Sequence, residues 1–245
     1  MYRREKAIRC TASSCKTPLG LRKESAKIRY LRSNVWFLDK FSTWATRYGI
    51  ENEPRARQAY LTKMKEKDED ATVIECGLWI NPKYPQLGCS PDGILRSPLL
   101  GRILLEIKCL TLTHINPEFF EDMSDDKLRR FYLKRLENGS ITLKKTDKYY
   151  YQVQMSLDVL ELPLAHFFVW SEAGSVVCEI PRDKSFFKEK RLRLIEFHRT
   201  IVLQEFFLRR TVRRLPPVQV NYADFHEDEN DNYFSQMGSN GDPSA

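Results

Sequence analysis

Three charged side chains stand where a globular chain ordinarily puts turn or apolar residues. Asp92 lies in Ser90-Pro91-Asp92-Gly93, and Glu106 and Lys108 interrupt the run Ile103 to Leu110. Alternate residues of a strand share a face. Leu104, Glu106, Lys108 and Leu110 therefore line one side, and Ile103, Leu105, Ile107 and Cys109 the other. A strand merely wetted on one face would be polar along that whole face, whereas this one carries charge only in its middle. Such charges are costly unless they are paired or bind a metal. Thirteen residues separate Asp92 from Glu106, enough for a strand end, a turn through Ser97-Pro98 and Gly101, and a return strand. An antiparallel pair would then set Asp92 beside Glu106.

Two carboxylates and the Ile107 backbone carbonyl offer a hard-oxygen cage suited to Mg²⁺ or Mn²⁺. An ion there would lower the pKa of its water, polarise a phosphoryl oxygen and steady a leaving alkoxide. Lys108 would orient or help deprotonate that water and offset developing charge. The chemistry is phosphodiester hydrolysis, with one ion or with two about 4 Å apart. Each piece also has a plainer reading: Ser-Pro-Asp-Gly is a good β-turn sequence, and Glu-x-Lys is common on solvated strands. The combination carries the case.

The elements that must position these residues follow from periodicity. Thr11-Ala12-Ser13-Ser14 can cap a helix or grip a phosphate. Residues 33–48 read as an amphipathic helix rich in aromatics, among them Trp36, Phe37, Phe41 and Trp44. A second helix runs from about Ile50 to Lys67, with Glu53, Ala56 and Tyr60 on one stripe and Pro54 in a first turn or at a kink. Lys63 to Asp70 reads as its solvated end. Thr72–Ile80, Gly88–Arg96 and Arg102–Leu110 read as three strands. Residues 117–137 read as a charged helix and Asp147–Leu160 as another, with Val153, Leu157 and Leu160 as its apolar stripe. Ala165–Trp170 and Ser175–Ile180 are strands about the turn Ala173-Gly174. Lys184–Arg213 is a long basic helix ended by Pro216-Pro217. This order predicts an α/β layout around one mixed sheet, as a single domain over 1–220 and an acidic, disordered tail over 221–245.

The length of 245 residues, 42% hydrophobic and 12% aromatic content suit one globular domain. No apolar run reaches the roughly 18–20 residues of a membrane span, and the basic start is followed by no signal-peptide core. The expected location is intracellular, nuclear or cytoplasmic, not secreted. The stretch from Asp224 to Asp242 holds six acidic residues and no lysine or arginine; without it the net charge of +7 would be about +13. So basic a body suits a polyanionic partner, with ordinary solubilising charge as the alternative. The tail's plainest role is to solubilise. Six cysteines show no CxxC pair or zinc spacing and read as reduced thiols, four of them (76, 89, 109 and 178) in strands. Asn138-Gly-Ser140 reads as a turn.

Pro91-Asp92…Glu106-Ile107-Lys108 matches the PD-(D/E)xK nuclease pattern. More narrowly, the chain resembles the lambda exonuclease and YqaJ viral-recombinase family. Arg9-Cys10-Thr11-Ala12-Ser13 resembles its R-[IV]-T-A-S signature. Gly49-Ile50-Glu51-Asn52-Glu53-Pro54-Arg55-Ala56 resembles its G-x-x-x-E-x-x-A helix, and Tyr151-Gln152-Val153-Gln154-Met155 its Q-V-Q helix. The matches occur in the family's order over about residues 1–172. The resemblance implies a restriction-endonuclease-like domain with a central mixed sheet flanked by helices. It implies a Mg²⁺-dependent 5′-to-3′ exonuclease on double-stranded DNA, working in viral or mobile-element recombination.

Carried over residue by residue, the resemblance makes Glu53 an added acidic residue near the metal, beside its reading as a first-turn Glu favoured by the helix dipole. Gln154, preferred over Gln152, would contact the metal's water or the substrate; two residues apart on a helix, they cannot both face one point. Lys6, Arg9, Thr11 and Ser13 would grip a terminal 5′ phosphate. Lys6 stands where the family often has arginine, keeping the charge without the bidentate fork. Tyr149 to Tyr151 could stack on bases or form core and groove wall. A homo-oligomer and a single-strand annealing or recombination partner are also implied. The rivals are a structure-specific endonuclease and a non-catalytic DNA-binding module on a nuclease fold.

Overall fold

The structure is a computed structural model, and it describes residues 2–38, 43–111, 128 and 131–216. The chain opens with helix α1 (Tyr2–Ala7) and strand β1 (Cys10–Thr11), then two 3₁₀ turns, Ala12–Ser14 and Pro18–Gly20. Helices α2 (Glu24–Asn34) and α3 (Trp44–Lys65) precede strands β2 (Thr72–Ile74), β3 (Trp79–Ile80), β4 (Leu87–Cys89), β5 (Gly93–Ser97) and β6 (Gly101–Cys109). A hairpin, β7 (Leu133–Arg135) and β8 (Ile141–Leu143), leads into α4 (Lys148–Leu160). Strands β9 (Leu164–Ser171) and β10 (Gly174–Pro181) are followed by α5 (Lys184–Phe197), a π turn over His198–Val202 and α6 (Leu203–Leu208).

The central sheet is mixed, as expected, with order β10-β9-β6-β5-β2. Only the β6–β9 pair is parallel; the other three are antiparallel. A smaller sheet runs β1-β4-β3. The alternation read on β6 sorts its side chains between two cores. Ile103, Leu105 and Ile107 meet Ala56, Tyr60 and Met64 of α3, whereas Leu104 meets Val153 and Leu157 of α4. Helices thus cover both faces of the sheet, which is why β9 is buried nearly end to end and β6 through its middle, Ile103 to Ile107. Among the described residues no helix is long and apolar enough to cross a membrane, and all six cysteines are free.

Several boundaries differ from the sequence reading. The helix expected over 33–48 is absent as such: α2 stops at Asn34, Phe37 takes φ 53°, and Thr43 caps a new helix by accepting from the Thr46 N–H at 3.1 Å; Phe41 lies outside the described residues. Helix α3 runs straight through Pro54. The bond lost is the one to the carbonyl of Ile50, a residue 66% exposed, so water can replace it. The strands expected over 72–80 and 88–96 each split in two, leaving Cys76 between strands. The cut in the second falls at Ser90-Pro91-Asp92 and sends its halves into different sheets.

Gly93 therefore starts β5 rather than ending a turn. Its need is space, since a Cβ there would come within 2.7 Å of Val73 Cγ1. Asp68, read as solvated, is buried, accepting from the Ser97 hydroxyl and from the Leu99 N–H at 3.1 Å. The Ser97 bond holds its carboxyl below the usual range. Residues 133–135, read as helix, form β7, and Leu136 and Glu137 lead into the turn after it; the rest of the expected 117–137 helix lies outside the described residues except Leu128, Phe131 and Tyr132. Asn138-Gly-Ser140 is the β7–β8 turn, with Gly139 at φ 81°. The last helix ends at Leu208, not Arg213, because Arg209 turns left-handed at φ 51°. The 221–245 tail lies outside the described residues.

Behind α3, the Tyr60 hydroxyl and His166 Nδ1 are 2.6 Å apart in the core. Burial lowers the His166 pKa to about 4, below the roughly 6.5 of an unfolded chain. The unfolded state thus binds the extra proton between those values, so this contribution is complete above about pH 6.5 and fades as pH falls toward 4. The urea midpoint should drop between about pH 7 and pH 4.5, and less so in His166→Gln. Equal drops in the two proteins would refute the assignment.

Candidate active site

Strand β5 pairs with β6 in the register Gly93↔Leu105. One step further, Asp92 faces Glu106, the placement the sequence spacing implied. Beyond Gly93 the ladder has no strand to continue it, and the Ile107 N–H would lose its partner. The Asp92 carboxylate takes that N–H at 2.6 Å. In a strand the N–H and C=O of one residue point to the same edge, so the Ile107 carbonyl also faces the Asp92 side. Glu106, 2% exposed, accepts through Oε1 from Lys108 Nζ and from Gln152 Nε2, both at 2.5 Å. The Lys108 ammonium also stands 5.0 Å from the centre of the Tyr149 ring.

The electrostatics are those of crowded acids. Burial, and then repulsion by Asp92, pushes the Glu106 carboxyl well above the usual range. Burial also raises Asp92, against Lys108, the Ile107 N–H and Arg57. Burial and then Asp92 raise Glu53, opposed first by Arg57. Burial works against the charge on Lys108, but Glu106 and Asp92 outweigh it and keep the ammonium. Two cations, Lys108 and Arg57, thus face three crowded carboxylates, Glu53, Asp92 and Glu106, leaving an excess of negative charge that a divalent ion would offset. Among the described residues, no three His, Cys, Asp or Glu side chains are gathered closely enough to hold a metal. The donor set that fits one is Asp92, Glu106 and the Ile107 carbonyl, all hard oxygens.

These groups open into two adjoining cavities. One, of about 400 Å³, is lined by Glu53, Asp92, Ile107, Lys108 and Tyr149 and by Ile50 from α3. The other, of about 480 Å³, takes Asp92, Glu106, Lys108 and Gln152 together with Lys6, Thr11 and Ser13. The N-terminal segment reaches it through β1, which pairs in parallel with β4 just before Asp92. Thr11 has no side-chain bond capping the 3₁₀ turn; it instead lies 3.3 Å from the Ser14 hydroxyl.

Two expected residues are elsewhere. Gln154 is fully buried, donating to the Pro181 carbonyl at 2.9 Å and accepting from the Asp183 N–H at 2.7 Å. It fastens α4 to the end of β10, as does Asp158 one turn on, which takes Arg182 and Arg191 at 2.8 and 2.9 Å. Gln152 faces the site in its place. Arg9 is turned to Glu5 at 2.7 Å and the Pro85 carbonyl at 2.9 Å, away from the cavity. Tyr149 walls the site, whereas Tyr150 is buried. Arg57 was missed; its only sequence signal was the i,i+4 spacing from Glu53.

No curated protein matches this sequence. Among solved structures, LHK-Exo in complex with dAMP aligns with a TM-score of 0.60 and 21% identity, covering 87% of this chain and 97% of that one. LHK-Exo is described as an alkaline exonuclease from Laribacter hongkongensis; a second structure of it gives 0.58 and 21% over 85% and 95%. A phage-related exonuclease from Haemophilus somnus 129PT gives 0.52 at 12% identity over 78% and 91%. These likenesses establish a shared fold. The sequence profile of the YqaJ-like viral recombinase domain matches residues 2–162, well over half of the chain, which therefore belongs to that family.

Proposed function

We propose that this protein is a Mg²⁺-dependent deoxyribonuclease that digests one strand of duplex DNA from a 5′ end, in viral or mobile-element recombination. The observation that carries the reading is the shared cavity. Asp92, Glu106, Lys108 and Gln152 line the same space as Lys6, Thr11 and Ser13. A terminal phosphate held by the second group would lie beside a phosphodiester presented to the first. The relatives described as exonucleases, one of them crystallised with dAMP, support the same reading.

In this reading Asp92, Glu106 and the Ile107 carbonyl hold the ion, which when bound supplies Lewis-acid activation of water and phosphoryl oxygen. Gln152 and Lys108 fix the Glu106 carboxylate from two sides. Lys108, kept as an ammonium by that ion pair, offsets negative charge developing on the phosphoryl group rather than acting as the base. Lys6 supplies positive charge, and Thr11 and Ser13 supply hydroxyls, to the end of the strand. Tyr149 presents its ring to the passing nucleotides.

With Mg²⁺ and 5′-phosphorylated duplex, Asp92→Asn, Glu106→Gln and Lys108→Ala should each lose on the order of 100-fold or more in rate. Chelator should abolish cleavage and added Mg²⁺ restore it. Full activity in any of these variants, or in chelator, would sink the assignment. A covalently closed circle should survive, since an exonuclease needs an end. Replacing the 5′ phosphate by hydroxyl should slow the wild type and make little difference to Lys6→Ala with Ser13→Ala.

The two glutamines should separate cleanly. Gln152→Ala should slow cleavage with little change in melting temperature. Gln154→Ala should cost about 1–3 kcal/mol of stability, because it removes both hydrogen bonds of a fully buried side chain, to the Pro181 carbonyl and from the Asp183 N–H. Thermal melts and rates on both variants decide it, and interchanged phenotypes would contradict the geometry.

A further inference from the structure

Arg57 lies one turn after Glu53 on α3, with its side chain only 16% exposed. Its Nη2 donates to Glu53 at 2.5 Å, its Nη1 to Glu75 at 2.6 Å and its Nε to the Asp92 carbonyl at 3.1 Å. One planar group thereby joins a helix, the segment after β2 and the short crossing that carries Asp92. That crossing is where the predicted strand breaks, so no sheet ladder holds Asp92 itself. Its carboxylate is fixed by the Ile107 N–H and its main chain by Arg57. Release of the second point would let Asp92 pivot about the first.

The shape of the group matters as much as its charge: one rigid guanidinium holds the Glu53 carboxylate and the Asp92 main chain at once. Lysine could replace the charge but not three donors in a rigid fork. The Glu75 contact is the weakest of the three, since that carboxylate is 75% exposed.

We propose that Arg57 is a positioning residue for hydrolysis at this site: it sets the placement of Asp92 and Glu53 without itself touching substrate. The proposal rests on the nuclease reading above. Rates on 5′-phosphorylated duplex with Mg²⁺, alongside melting temperatures, should be measured for wild type, Arg57→Ala, Arg57→Lys and Arg55→Ala. Arg55 is the control; it pairs with exposed Glu172 from the same helix.

Arg57→Ala should lose about 10- to 100-fold in kcat, the usual effect of removing a group that orients a ligand, with KM for DNA unchanged. Arg57→Lys should melt near the wild type yet stay slow, and Arg55→Ala should keep the wild-type rate. Should Arg57→Ala not fold, Arg57→Lys decides. Wild-type kcat in Arg57→Lys or in folded Arg57→Ala overturns the proposal, as does a loss confined to KM. A wild type that leaves DNA uncut with Mg²⁺ fails the nuclease reading itself, and the positioning role falls with it.

Discussion

The site depends on two acids, Glu106 buried and Asp92 half-buried, being held within reach of each other at the end of one strand pair. In water, Asp92 and Glu106 would ionise independently. Here, desolvation disfavours both charges, and Asp92 adds to the cost of ionising Glu106. Removing an ion from water costs several kcal/mol even after relaxation. A fold would carry such a pair only if something local repaid it. Lys108 repays part, from the same strand face as Glu106, and a divalent cation bound by the pair would repay the rest.

The scaffold earns its form from that constraint. Glu106 can be held at 2% exposure only because β6 is a central strand, with α3 packed on one face and α4 on the other. Strand β6 contributes a charge to each of two successive positions on the α4 face, and α4 answers with Gln152. The other face stays apolar, so Ile103, Leu105 and Ile107 anchor the strand against Tyr60 and Met64. Rigid burial on one side is what lets the opposite side hold unfavourable charge without shifting.

Much of this was legible in the residues. The apolar alternation of β6 and the spacing from Asp92 to Glu106 gave a register that the β5–β6 pairing reproduces, because period two admits only one arrangement that buries both apolar sets. The hairpin β9–β10 was equally plain. What stayed hidden was set by tertiary bonds. Gln152 and Gln154 look alike in sequence, and only the contacts of Pro181 and Asp183 decide which is inside. Pro54 looked like a helix start, yet helix geometry persists where the lost bond faces solvent. Asp68 looked solvated because Ser97, its partner, is 29 residues away. Arg57 had two distant partners, Glu75 and Asp92, and nothing but its spacing from Glu53 to announce it.

The break at Ser90-Pro91-Asp92 ties these observations together. Had the strand from Leu87 run on unbroken to Ser97, one sheet would have extended past Gly93 and the Ile107 N–H and C=O would have met a neighbouring backbone. Proline cannot donate to a ladder, and at Pro91 the chain instead crosses from the small sheet to the large one. The crossing leaves the edge of β6 open for a short stretch, and the Asp92 side chain does there what a backbone carbonyl would have done. That substitution turns a sheet end into a place where a carboxylate and a main-chain carbonyl face the same space. It also brings β1, paired to β4, close enough to add Lys6, Thr11 and Ser13 to the same cavity. The acid pair and the basic mouth are thus two consequences of one interruption in the sheet.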